Sequence, residues 1–213
     1  SMTVMFLQMW RLCTGENEDF SAFLPEVRFP EAPGVVQPYS DSPMDEENVS
    51  KNIYLQIINT AKQYVYINTP YLILDDTLLS ALTLAAKSGV DVRIVTPHRW
   101  DKRLVHMTTR SFYRELIDNG VKIYEYSIGF IHSKTFVSDD HTAVVGTANL
   151  DFRSLYLHFE CGVKMYNTPA VIELRDDFLD TLELCHRITA DDCKCSVAVK
   201  LIQDICRLFA PLL

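Results

Sequence analysis

Several things are scarce in this chain. Of 213 residues only 7 are glycine and 9 proline, and no internal repeat or low-complexity run interrupts the sequence. That composition excludes a fibrous or largely disordered chain. Positive charge is also in short supply: 20 Lys and Arg face 28 Asp and Glu, a formal charge of −8. Proteins that grip nucleic acid draw much of their affinity from phosphate neutralisation, so no nucleic-acid partner is expected. No apolar run reaches the ~20 residues that a membrane-crossing helix needs. The 6 cysteines, Cys13, Cys161, Cys185, Cys193, Cys195 and Cys206, include no Cys-x-x-Cys pair. In a chain that shows no signal peptide they are expected to be reduced, intracellular thiols. Cys185, His186, Cys193 and Cys195 form the only candidate zinc set. Cys-x-Cys is poor ligand spacing, and the stretch reads as a link between helices.

What is present is a large apolar fraction, 48%, enough for a sizeable core in one domain with at most an appendage. Val4 to Leu12 has helical spacing, with Met5, Phe6, Met9 and Trp10 on one face. Residues 14–33 are rich in Pro, Glu and turn formers and read as a linker. Val35 to Tyr39 reads as a strand. Ser42, Pro43 and Asp45 then resemble a helix start, leading to Ile53, Ile57, Ile58 and Ala61 on one face. Strands are predicted over 64–69, 90–96 and 121–126. Between them lie a helix capped by Asp75 or Asp76 and a helix over 103–118. A strand over 158–166 follows, then helices opening at Thr168–Pro169 and spanning 197–208. Strands alternating with helices predict an α/β fold with helices on both faces of the sheet.

The centre of the chain is FIHSKTFVSDDHTAVVGTANLDFRSLYLHFE, residues 130–160. It reads as strand, tight turn at 138–141, strand, then a small-residue turn opening a helix near Asp151. The antiparallel hairpin makes the sheet mixed. His132 and Lys134 are two apart, so on a strand they share a face. Folding back the hairpin brings Gly146, Thr147 and Asn149 toward them. A neutral imidazole can attack phosphorus, and an ammonium can stabilise the charge that develops on the phosphoryl oxygens. Gly146 would let backbone N–H groups approach a phosphate, with Thr147 and Asn149 as neutral donors. No ligand cluster adjoins the motif, so no metal or other cofactor is required. A lone histidine on a strand is usually a packed or surface residue. The joint pattern H-x-K-x4-D-x6-G-T, with Asn149 just beyond, is harder to obtain by chance.

HSKTFVSD followed by GTANLDFRS resembles the HKD signature of the phospholipase D superfamily. With NTPYLILDDTLLSALTLAAKSGVDVRIVTP, RSFYRELIDNGVKIYEYSIGFIHSK, HFE and RLFAPLL, it resembles the C-terminal half of bacterial cardiolipin synthases. The family usually has Ser at the position of Thr147, which keeps the hydroxyl. The resemblance implies an α/β/α sandwich and a domain organisation: 1–13 a helix belonging to a missing first half, 14–33 a linker, 34–213 a phospholipase D-like domain with one motif. It implies His132, Lys134, Asp139 and Glu160 as catalytic residues. Glu160 would orient His132, and His132 would serve as the general acid. Asp139 points away from the phosphate end and is expected to brace the hairpin. The implied reaction joins two phosphatidylglycerols and releases glycerol. Its implied partners are phospholipid, the missing HKD half or a second copy of the chain, and the cytoplasmic side of the cell membrane, reached through absent N-terminal segments. The fragment itself would be soluble. A phospholipase, a nuclease or a catalytically silent half are the alternatives. Tyr71, after a strand end, is a candidate pocket residue, although a packing aromatic is the commoner fate. His106 could face the same cleft, with a surface position favoured, and His141 is expected to be exposed. His98, Arg99, Lys102 and Arg103 form a cationic cluster that is either an anion site or a solvated loop.

Overall fold

The computed structural model describes residues 2–23, 31–44 and 46–212. Eight strands form its sheet: β1 (Val35–Asp41), β2 (Tyr64–Asn68), β3 (Asp91–Pro97), β4 (Lys122–Tyr126), β5 (Thr135–Ser138), β6 (Thr142–Gly146), β7 (Glu160–Tyr166) and β8 (Cys185–Ile188). Their order is β1-β7-β6-β5-β2-β3-β4-β8. The helices are α1 (Met2–Thr14), α2 (Val49–Thr60), α3 (Asp76–Lys87), α4 (Arg103–Asp118), α5 (Phe152–Tyr156), α6 (Pro169–Leu182) and α7 (Val197–Leu208). The pairs β2–β3 and β3–β4 are parallel, and all other neighbours are antiparallel.

The period-two alternation of a strand sends neighbouring side chains to opposite layers. Val65 and Ile67 enter the core beneath α2, α3 and α4, together with Ile94, Phe136 and Val144. Tyr66 between them faces the other way, where Val95, Val137 and Ala143 meet Val171 and Phe178 of α6. The sheet is therefore covered on both faces, as a parallel segment requires. Asp75 caps α3 by accepting the Leu78 N–H at 2.8 Å.

Two local expectations give way. The helix expected from Ser42 begins at Val49, and its N-cap Asn48 makes no side-chain cap bond. The carboxylate of Asp41, at the end of β1, instead accepts the N–H groups of Val49 (3.3 Å) and Ser50 (2.7 Å). A strand-end acid thus replaces the local cap; Ser42 Oγ is left to accept the Met44 N–H, and Asp45 lies outside the described residues. The stretch near Cys185 is not a helical link but edge strand β8, antiparallel to β4. It is 4 residues long, too short for an alternating pattern to declare itself. In the expected linker, residues 20–23 form a 3-10 turn, and 24–30 lie outside the described residues.

The tip of the β5–β6 hairpin holds Asp139 (φ 53°) and Asp140 (φ 61°) in the left-handed region that a tight two-residue turn demands. Asp139 is buried, and its carboxylate accepts three backbone N–H groups from the α2–β2 connection: Lys62 at 2.6 Å, Gln63 at 2.9 Å and Tyr64 at 2.9 Å. This welds the hairpin to the sheet, as expected of the residue. Asp139→Asn keeps the shape and the tolerance for positive φ while removing the charge. It should lower the unfolding free energy by about 2 kcal/mol, the scale of hydrogen bonds to a charged group; urea denaturation reads this directly.

Candidate active site

The other end of the hairpin carries the motif residues His132 and Lys134. β5 begins only at Thr135, so His132 and Lys134 precede the strand rather than lie within it. The ladder nevertheless reaches them, because the Gly146 N–H donates to the Lys134 carbonyl at 3.1 Å. Lys134 is 9% exposed, and its Nζ donates to the carbonyl oxygen of His132 at 2.8 Å. Burial pushes the ammonium pKa below its usual value, and the charges of Glu160 and Asp151 oppose that shift. His132 stands at the surface beside the ring of Phe130, 5.9 Å between centroids. Partial desolvation and the nearby Lys134 both lower its pKa, with Asp101 pulling the other way.

Glu160 is buried, but it does not orient His132. Its Oε2 accepts the Thr147 hydroxyl, and its Oε1 lies 3.6 Å from Nδ1 of His158. Among the described residues no hydrogen bond joins Glu160 to His132. Thr147 has no proton to spare for a phosphate: its Oγ1 donates to Glu160 and accepts the Cys161 N–H at 3.0 Å. Nor do the backbone amides at 146 and 147 cradle an anion. The Gly146 N–H goes to Lys134, and the Thr147 N–H donates to the Cys161 carbonyl at 2.9 Å. Gly146 is small for another reason, since a Cβ there would lie 2.9 Å from the Cys161 carbonyl oxygen and 3.4 Å from the Tyr39 hydroxyl. Asn149 donates its amide to Asp151 (3.1 Å) and Ser154 (2.9 Å), leaving a buried Oδ1 without a partner.

Asn149 opens onto a cleft of about 500 Å³, which Tyr71, Lys102, Arg103, Asp151, Arg153 and His158 also line. Tyr71 donates its hydroxyl to Asp101 at 2.5 Å and lies 6.4 Å from Phe130, so an aromatic run leads from the cleft to His132. His106 is neither in the cleft nor on the surface: it is half-buried, with Nε2 enclosed and unpartnered, and burial lowers its pKa. His141 is half-buried as well, its Nδ1 2.8 Å from Thr142 Oγ1. The cationic cluster divides. His98 pairs with Glu125 at 2.8 Å, while Lys102 and Arg103 face the cleft. Asp139, at the hairpin tip, braces the backbone and is not part of this site. Asp101 stood out nowhere in the sequence, and Asp151, Arg153 and His158 fell within stretches that carried the resemblance without being marked as site residues. Asp151 has the look of a helix cap, which it also is, accepting the Ser154 N–H at 2.7 Å.

Residues 54–182 match the family model described as cardiolipin synthase, PLD-like domain. The chain belongs to that family. It is 39% identical over 215 residues to a cardiolipin synthase of Alkalihalophilus pseudofirmus, covering 100% of this chain and 43% of that protein. An uncharacterized protein of Streptococcus mutans is 47% identical over 216 residues, 100% of this chain and 46% of its own. The chain thus spans less than half the length of these curated relatives. Its fold is that of Nuc, a phospholipase D family member from Salmonella typhimurium, with TM-score 0.61, 20% identity and coverage of 73% of this chain and 98% of Nuc. Phosphatidylserine synthase of Haemophilus influenzae superposes with TM-score 0.63 and 15% identity, over 83% of this chain and 45% of that one. Among the described residues of this PLD-like domain no helix is long and apolar enough to cross a membrane.

The electrostatics predict a titration. His132 should lose its proton below the ordinary histidine range, and Lys134→Met should move that midpoint upward, because the cation that disfavours imidazolium is gone. Imidazole NMR resonances followed against pH report both; an unmoved midpoint in Lys134→Met would show that the ammonium does not act on the ring.

Proposed function

We propose that this chain is one catalytic half of a cardiolipin synthase, transferring a phosphatidyl group between two phosphatidylglycerols through a phosphohistidine. The observation that carries the reading is the bond from the Lys134 ammonium to the carbonyl of His132. It ties a buried positive charge to the residue that bears an exposed imidazole, a pairing suited to a phosphodiester whose oxygens meet the cation while its phosphorus meets the ring.

In the first step one imidazole attacks the phosphorus of a phosphatidylglycerol. The N–P bond forms, the P–O bond to the headgroup glycerol breaks, and a second imidazole protonates the leaving alkoxide. A second phosphatidylglycerol then presents its primary hydroxyl. Its oxygen bonds phosphorus, the N–P bond breaks, and the proton returns to the second imidazole. The products are cardiolipin and glycerol. This chain has one such motif, so the other imidazole comes from a second HKD half or a second copy. Desolvation and the Lys134 charge both lower the pKa of His132, against the pull of Asp101. For His132 to act as the acid, a bound phosphate anion must raise its proton affinity. Because the substrates are lipids, the complete protein would work at the cytoplasmic face of the cell membrane.

In the two-motif protein, His132→Ala and Lys134→Ala should each reduce cardiolipin formation from phosphatidylglycerol vesicles by at least about 10²-fold, the lower end of what one positioned proton-transfer group contributes, with the fold retained by circular dichroism. The chain on its own should turn over almost nothing. Brisk phosphodiesterase activity by a monomer of this chain would sink the half-site reading.

A further inference from the structure

The proposed reaction needs a place for a second lipid, and the acceptor phosphatidylglycerol brings an anion of its own: a phosphodiester three carbons from the hydroxyl that attacks. Nothing at His132 and Lys134 answers that second charge. The cleft beside them has the means to.

Lys102, Arg103 and Arg153 line this cleft, together with the imidazole of His158. In a chain of net charge −8, cations usually find carboxylates, as Arg93, Lys122, Arg175 and Arg207 do. Among the described residues none of the three cleft cations has an ion-pair partner. The carboxylates within reach are already engaged. Asp151, the one acid lining the cleft among the described residues, binds the amide of Asn149 and caps α5. Asp101 binds the Tyr71 hydroxyl and the backbone N–H of Lys102. Three cations thus face one carboxylate around a hollow of about 500 Å³, a net positive charge that an entering anion would offset. The first turn of α4 rises from the same wall, its N-cap Lys102 makes no side-chain cap bond, and the helix N-terminus adds to the positive potential.

The cleft is also joined to the reacting centre. Its His158 lies 3.6 Å from Glu160, and the charges of both Glu160 and Asp151 act on Lys134. Leu104 (57% exposed) and Leu212 (77% exposed) line it as well, an apolar lip beside the cations. We infer that this cleft is the acceptor subsite, where Lys102, Arg103 and Arg153 bind the phosphodiester of the second phospholipid and so direct transfer to its hydroxyl rather than to water. This rests on the catalytic reading of His132 and Lys134.

The test is binding to this chain in solution. The probe is glycerophosphoglycerol, the deacylated headgroup diester, with inorganic phosphate as the lone-anion control; calorimetry gives Kd, and NMR follows the rings of His132 and His158. Both rings should respond to the diester. K102Q, R103Q and R153Q should each weaken its binding about tenfold, the worth of one charge-assisted hydrogen bond. The triple variant should lose the His158 response while His132 still answers inorganic phosphate. Each change alters an exposed side chain, and the single variants keep the test sound if the triple variant folds poorly. Unchanged diester affinity in the triple variant, with His132 still responsive, overturns the subsite alone. A His132 ring silent to both probes overturns the catalytic reading and the acceptor role with it.

Discussion

A lysine ammonium does not sit 9% exposed without compensation, and the surroundings of Lys134 are arranged around that demand. The carbonyl of His132 accepts its hydrogen bond, and Glu160 and Asp151 supply opposing charge from two separate elements. Each of these acids is held in turn, Glu160 by the Thr147 hydroxyl and Asp151 by Asn149 and the first turn of α5. The motif, the turn after β6 and the start of β7 are thereby tied into one polar cluster.

The sheet places that cluster at its change of direction. β2 pairs in parallel with β3 on one side and antiparallel with β5 on the other. The chain leaving β2 and the chain leaving β6 therefore run alongside each other. Leu72 bridges to Leu150 in parallel, the Ile73 N–H donates to the Leu150 carbonyl at 2.7 Å, and the Leu150 N–H donates to Thr69 Oγ1 at 3.2 Å. Crevices beyond strand ends at such switch points are where α/β proteins hold ligands. Here the crevice brings Tyr71 from one segment together with Asn149, Asp151 and Arg153 from the other.

Much of this was legible in advance. The helix expected over 103–118 is α4, and that expected over 197–208 is α7, because their apolar residues recur at helical spacing. Asp139 could be placed as a brace because its distance along the hairpin carries it away from Lys134. The start of α2 was not legible, since its amides are satisfied by Asp41 from across a loop. The role of Gly146 was not legible either. Phosphate-binding glycines and glycines that admit a close neighbouring strand look the same in a sequence, and only the approach of the β7 backbone at Cys161 and Gly162 separates them.

From its own order of residues the chain determined the alternation of strands and helices, the hairpin with its aspartate tip, and the two-residue spacing of an imidazole and an ammonium. These are local matters of periodicity, sterics and solvent preference, and they need no knowledge of what lies far along the chain. Tertiary structure decided who meets whom: Thr147 and His158, rather than His132, at Glu160, and three cleft cations without an ion-pair partner among the described residues. Such pairings depend on strand register and on which loops emerge side by side, and hydrogen bonds or charges between residues remote in sequence leave no periodic trace in it.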